Sequence, residues 1–442
     1  MQTLTELTPL LWMQRLVDHV NEHPSNTLIL LGATIAALSF AVIQRRAPSK
    51  AASTPRTNTP RSLVNPKRPF GEWTPQPFAY PQFDASPYVP MEIKPPMYRP
   101  FRWGEYHITM GIRSMQWGEW IELDDQYDTY HGIRQDRVER KGKSVVQVLP
   151  SRTHQRDETV HVDGGAAAAI ELVHELAEYL SRRYPQTFQV RRHATMPGYP
   201  TGWDGAAPVK SVRIVHLDQE YQLPLPLPLN DSSEKIDLER DGLEAMRIAG
   251  LLIQDDLALM VEGSDGGYYF MAGAIIVPGF WRMDDKIGMR LEDIHISGDV
   301  PQYQEKLQVS LERFFRRLAV DKPIARNNYF VQVSPLPSAT PSVDPDELAW
   351  GENVLGPEDK YASTKGSSYG TRPMLVVTPE TLRLQLAQEP GIAARFASAV
   401  RSWPDSVKEY KGEGRYSEVL LRYLDEMAAR VEGEAEVKPY PY

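Results

Sequence analysis

The stretch LALMVEGSDGGYYFMAGAIIV, residues 257–277, constrains the fold more than any other. Two apolar runs flank Gly-Ser-Asp-Gly-Gly, whose glycines supply positive φ angles, so the chain is expected to double back here as a β-hairpin. A phosphate loop would need a helix straight after the glycines, and a second strand follows instead.

Around the hairpin lie helical patterns. Upstream, GGAAAAIELVHELAEYLSRRY carries Ile170, Val173, Ala177 and Leu180 at helical spacing and is stopped by Pro185, and LEAMRIAGLLIQ predicts a second helix. Downstream, PQYQEKLQVSLERFFRRL repeats apolar residues at Tyr303, Leu307, Leu311, Phe314 and Leu318, with Pro301 suited to a first helical turn. NYFVQV and MLVVT read as strands, and RYSEVLLRYLDEMAARVEG as a terminal amphipathic helix. Helices interspersed with hairpin-like strands, rather than a strand–helix–strand series, predict an α+β fold around an antiparallel sheet. No internal repeat is visible.

The N-terminal part differs. After residues 1–26 comes NTLILLGATIAALSFAVIQRR, whose uncharged core from Thr27 to Ile43 predicts one transmembrane helix, so residues 27–46 are expected to act as a membrane anchor. Arg45, Arg46, Lys50, Arg56 and Arg61 follow it, whereas Arg15 alone precedes it, which places the C-terminal bulk on the cytoplasmic side of a single-pass protein. Residues 47–100 are crowded with Pro, Ser and Thr and read as an extended linker. The folded domain is expected over 101–435, with a polar loop or insertion near 343–371.

Composition removes several classes of function. The 49 basic and 58 acidic residues leave a net charge of −9, the wrong sign for a general nucleic-acid binder. The absence of cysteine rules out disulfides, thiolate zinc sites, iron–sulfur clusters and thiolate-bound or covalently attached haem, all of which need sulfur. Any haem would take His, Tyr or Met as its protein ligand, and its electrons would come from elsewhere. Nucleophile-elbow, Walker and Rossmann signatures are missing.

Four local patterns remain. HELAE, from His174 to Glu178, lacks the second histidine of a zinc-protease helix, and a solvated helix face explains it more simply than a metal. Glu122, Asp124 and Asp125 in WIELDD have no visible remainder of a cation shell and read as structural. LPLPLPL, residues 223–229, reads as a packed crossing loop. The fourth, His295 in DIHISGDVP, lies between an apolar segment able to line a pocket and the helix expected from Pro301. A neutral imidazole there could bind haem iron, or it could be a histidine hydrogen-bonded in a loop; local sequence favours the second.

RWGEYHITMGIRSMQWGEWIELDDQYDTYHGIR, VPGFWRMDDKIGMRLEDIHISGDVPQYQEKLQVSLERFF and RNNYFVQV, in that order, resemble the haem-dependent oxidative N-demethylase alpha-subunit family, and most of all its fungal, membrane-anchored, HRQ-type branch. The resemblance implies a PAS-like antiparallel sheet with flanking helices that binds haem b. It also implies oxygen-dependent oxidative N-demethylation, or a related monooxygenation, of a small amine. Electrons would come from a separate NADPH-dependent reductase with flavin and iron–sulfur centres. Carried over residue by residue, it makes His295 the axial metal ligand, places Trp281 and Lys286 near the pocket, with Lys286 facing a propionate, and adds Arg326 and Tyr329 as pocket residues.

Two departures stand out. The first proline of the family's IHxPVP segment is missing in IHISGDVP, and near 380–396 PETLRLQLAQEPGIAARF runs on without the family's arginine-containing strand. Two other readings follow: a non-catalytic haem or small-ligand sensor, since a fold does not set its function, and an interaction protein without haem.

Overall fold

The structure, a computed structural model, describes residues 69–71, 80, 82–94, 101–156, 158–195, 197–228, 237–278, 282–319, 322–326, 329–331, 367–368, 373–377 and 391–431. The expected anchor, residues 27–46, lies outside them; among the described residues no helix is long and apolar enough to cross a membrane.

In chain order the elements are β1 (Ile112–Ser114), α1 (Tyr127–Lys141), β2 (Val146–Val148), β3 (Arg152–Gln155), β4 (Thr159–Val162), α2 (Ala166–Arg183), β5 (Phe188–Arg192), β6 (Val209–Ile214) and β7 (Gln219–Gln222). Then follow α3 (Leu238–Leu252), β8 (Leu257–Glu262), β9 (Tyr268–Ala274), α4 (Leu291–Ser297), α5 (Gln308–Phe315), β10 (Ile324–Arg326), β11 (Tyr329–Val331), β12 (Ser367–Ser368) and β13 (Pro373–Val377). The C-terminal helices are α6 (Ile392–Arg401), α7 (Asp405–Tyr410) and α8 (Ser417–Val431).

The hairpin forms as its glycines require. Gly266 sits at φ +73°, where a side chain is strained, and Gly263 N–H donates to the Gly267 carbonyl at 2.8 Å. Asp265 braces the turn by accepting from Gly267 N–H at 2.9 Å. β9 runs antiparallel between β8 and β2. It is buried from Tyr269 to Ala274, and an unbroken apolar run suits a strand covered on both faces.

α2 and α3 form the most extensively packed helix pair, and they cover this sheet. Ile170, Val173, Leu176, Ala177 and Leu180 make the buried stripe of α2, facing Ala245, Ile248, Ala249 and Leu252 of α3 in one core. The pair approaches closely at Gly242: a Cβ built there would lie 2.5 Å from the Ala166 Cβ. Asp237 caps α3 by accepting from Arg240 N–H at 3.2 Å.

All described strand pairs are antiparallel except β11–β13, in five small sheets, so the α+β, antiparallel expectation holds. The N-terminal boundary moves. Residues 80 and 82–94, expected in the linker, join the core: Tyr80 stacks on Trp203 with ring centroids 4.3 Å apart and donates its hydroxyl to Glu175 at 2.7 Å, and Phe83 packs against Tyr179. A second apolar cluster unites Phe101 with Phe396, Val400, Trp403, Leu420 and Leu424 of the C-terminal helices. Residues 378–390, which hold most of the shortened segment, lie outside the described residues, as does the expected loop 343–371 apart from β12.

The helix expected from Pro301 is a correction. Residues 301–302 form a turn, Tyr303–Leu307 a single π-helical turn, and regular α-helix begins only at Gln308. Asp299 and Gln302, at φ +50° and +54°, interrupt it. Proline suits a first turn but cannot impose one when the residue after it is left-handed.

Candidate functional site

β9 positions the segment that carries His295. Phe270 N–H donates to the Met289 carbonyl at 3.0 Å, Gly288 N–H donates to the Phe270 carbonyl at 2.7 Å, and Tyr269 bridges to Arg290. Gly288 takes φ +83° to make that turn. The next residues form α4, which packs Ile294 against Phe270 and Met283. His295 therefore sits on a short helix rather than in the loop expected between apolar run and helix.

Its hydrogen bonding settles its tautomer. His295 Nδ1 lies 2.7 Å from the Leu291 carbonyl, and since a carbonyl only accepts, Nδ1 carries the proton. Burial, followed by the charges of Arg326 and Lys286, pushes the imidazole below its usual value against the Leu291 hydrogen bond, so at neutral pH it is uncharged. Nε2 then holds a free lone pair, with no hydrogen-bond partner among the described residues. The Tyr303 ring covers one face, its centroid 4.7 Å away and its plane tilted by only 5°.

Lys286 and Arg326 are brought into electrostatic reach of His295 from separate elements. Lys286, just after a short 3-10 turn at Met283–Asp285, donates from Nζ to Ser297 Oγ at 2.8 Å. Arg326 ends β10, whose register with β1 sets Ile112 opposite Arg326. Trp281 lies outside the described residues. Tyr329 opens β11, and its side chain also lies outside them.

Several groups were invisible to sequence reasoning. Arg290 pairs with Glu292, lies 3.4 Å from Asp265 and 3.8 Å from Glu312, and so knits α4 to α5 and to the hairpin turn. Burial and the neighbouring Glu292 raise the Glu312 carboxyl, so this pair holds a proton more readily than separate carboxylates would. Arg326 is also within reach of Tyr106, Tyr410 and Lys411. Burial, then Arg326, pushes the Lys411 ammonium down to about 7. A cavity of about 540 Å³ opens near the start of α4, lined by His154, Arg156, Tyr269, Arg290 and Asp293 among others, and His295 is not in its wall. No sequence period marks such groups, because each is assembled from distant segments.

The other sequence candidates are structural. His174 Nε2 donates to the Pro224 carbonyl at 2.9 Å, tying α2 to the proline-rich crossing. Glu178 is buried rather than solvated and is held by Arg192 through bonds of 2.7 and 2.8 Å and by Arg182. Asp124 accepts from Gln126 N–H and Gln254 Nε2 at 2.9 and 2.8 Å. Among the described residues no three His, Asp or Glu side chains gather as a metal shell. A haem requires no such shell, because the porphyrin supplies four nitrogens and the protein need add only one.

The described residues thus define an α+β protein with an uncharged histidine whose Nδ1 is committed to the Leu291 carbonyl and which lies within electrostatic reach of Lys286 and Arg326. Residues 111–361, more than half of the chain, match the family model for the haem-dependent oxidative N-demethylase, alpha subunit-like, and the chain belongs to that family. The donor chemistry at His295 is compatible with the haem in that description: an Nδ1-protonated, neutral imidazole is a form able to ligate iron, and Lys286 and Arg326 are cations that carboxylate side arms could meet.

Proposed function

We propose that this chain is the haem-bearing component of an oxygen-dependent oxidative N-demethylase, or a related monooxygenase, acting on a small amine, with His295 as the axial ligand of haem b. The single observation that carries this reading is the His295 tautomer, with Nδ1–H committed to the Leu291 carbonyl and Nε2 left free. The family description supports it.

When bound, haem supplies the iron at which oxygen is activated, so that a methyl group leaves the amine as formaldehyde. The chain's residues hold and orient that group. Leu291 fixes the imidazole edge; Lys286 and Arg326 would balance the propionates, and Trp281 and Tyr329 are pocket residues by family resemblance alone. The electrons come from a separate NADPH-dependent reductase with flavin and iron–sulfur centres, in keeping with a chain that has no cysteine to hold a cluster. The fold is PAS-like, and residues 27–46 anchor the chain with 101–435 on the cytoplasmic side, in the manner of the HRQ-type branch.

The test is haem uptake by the detergent-solubilised full chain. Wild type should develop a Soret band that His295→Ala loses or markedly shifts, and with a reductase it should release formaldehyde from a secondary amine. A folded wild type that takes up no haem overturns the reading; haem uptake without turnover on any amine makes the protein a sensor instead.

A further inference from the structure

We infer that Tyr303 is a positioning residue for His295, its ring fixing the rotation of the imidazole about the axis from Nε2 to the haem iron. The inference rests on the haem reading above and extends it to a residue that the sequence placed in an ordinary apolar helix stripe.

Three independent observations converge on it. First, the two rings are nearly parallel, 5° apart with centroids at 4.7 Å. The Leu291 hydrogen bond restrains one edge of the imidazole, and a flat surface against its face restrains the remaining twist. Together they leave Nε2 as the one nitrogen able to meet a ligand. Axial imidazoles are normally oriented from behind in this way, by groups that touch the ring and not the metal.

Second, the backbone departs from regular geometry to put the ring there. Asp299 and Gln302 adopt left-handed φ angles that non-glycine residues avoid, and Tyr303 opens a single π-helical turn before the regular helix resumes. Such distortions are costly and persist where surrounding structure holds them, often at functional sites. The chain leaving α4 is held against the helix end by Gly298 N–H donating to the Ile294 carbonyl and Val300 N–H donating to the His295 carbonyl, both at 3.2 Å, and the turn that follows brings Tyr303 back onto His295.

Third, the Tyr303 hydroxyl is buried with no hydrogen-bond partner among the described residues. Its position is therefore not set by a hydrogen bond of its own. The packing of the ring sets it, and its packed neighbour is the imidazole.

The experiment compares Tyr303→Phe, which keeps the ring, with Tyr303→Leu, which removes it, in the full chain loaded with haem. The readouts are the rate of haem transfer to excess apomyoglobin and the electron paramagnetic resonance of the ferric protein. Tyr303→Leu should take up haem, release it roughly 10- to 100-fold faster, and broaden the resonance, while Tyr303→Phe should match wild type in both. If Tyr303→Leu does not fold, Tyr303→Met, which keeps bulk without a planar face, reads the same quantities. Wild-type behaviour in the ring-less variant overturns the inference while leaving the haem reading intact, provided haem uptake still depends on His295. Equal losses in the Phe and Leu variants also overturn it, since the hydroxyl and not the ring would then matter. Absence of haem uptake by wild type overturns both.

Discussion

Replacing Arg134 by methionine should destabilise the fold by about 3–5 kcal/mol, the cost of breaking a buried ion pair by removing one partner. Arg134 is fully buried on α1, 0% exposed. Its Nε donates to the Gly250 carbonyl at 2.6 Å, Nη2 to the Asp255 carbonyl at 2.7 Å, and Nη1 to Asp256 Oδ1 at 2.8 Å. Asp256 in turn accepts from Ile276 and Val277 N–H at 2.9 and 3.0 Å. One guanidinium thus satisfies the last turn of α3, the approach to β8 and the carboxylate that holds the end of β9. Methionine preserves much of the stem but leaves the buried Gly250 carbonyl without this donor, at about 1–3 kcal/mol, and removes the bond to the partly buried Asp255 carbonyl, worth about 0.5–1.5 kcal/mol. The two routes agree, and the loss is a large share of an ordinary domain stability of about 5–15 kcal/mol. Urea denaturation followed by tryptophan fluorescence measures it. A loss below about 1 kcal/mol would refute the argument that this network is satisfied only by Arg134. The double variant with Asp256→Leu should lose less than the sum of the single changes, because the partners no longer strand one another.

Other consequences can be checked separately. Burial raises Glu178, but hydrogen bonds from Arg192 and Arg182 outweigh it and hold its carboxylate below the usual range. Its stabilisation is therefore complete above the unfolded carboxylate value and is lost as pH falls through the lower folded one. Glu178→Gln should cost about 1.5–3 kcal/mol at neutral pH and flatten the acid limb of a stability–pH curve, and an unchanged acid limb would count against it. Gly242→Ala should lower the melting temperature despite alanine's better helix propensity, since its Cβ would collide with Ala166; overpacking of this kind costs about 1–3 kcal/mol, and a gain in stability would show that the helices part freely. If His295 ligates iron as proposed, its burial, which already depresses the imidazole, should let protons compete with the metal only below the ordinary imidazole value of about 6.5. A Soret titration in which His295-dependent binding is lost above that pH contradicts this.

Much of the scaffold was legible in the sequence because its causes are local. Glycine at 266 permits the positive φ of the hairpin turn, the spacing of Ile170, Val173, Ala177 and Leu180 sets the buried stripe of α2, and unbroken apolar residues from Tyr269 to Ala274 match a strand covered on both faces. The helix from Pro301 misled for a related reason: the period of apolar residues continues through Tyr303, Leu307 and Leu311, while left-handed residues and a π-turn shift the actual backbone.

Sequence by itself determined the α+β character, the hairpin, the main amphipathic helices and, through family resemblance, His295 as the residue to examine. Tertiary structure alone decided what surrounds it. Nδ1–H on Leu291, the ring of Tyr303 against the imidazole, and Lys286 and Arg326 arriving from different elements depend on turns and strand registers far apart in the chain. The same holds for Glu178, whose burial between two arginines no helical period distinguishes from a solvated face. Periodicity reports which side of an element is apolar, whereas a site is a meeting of side chains whose separation in sequence bears no fixed relation to their separation in space.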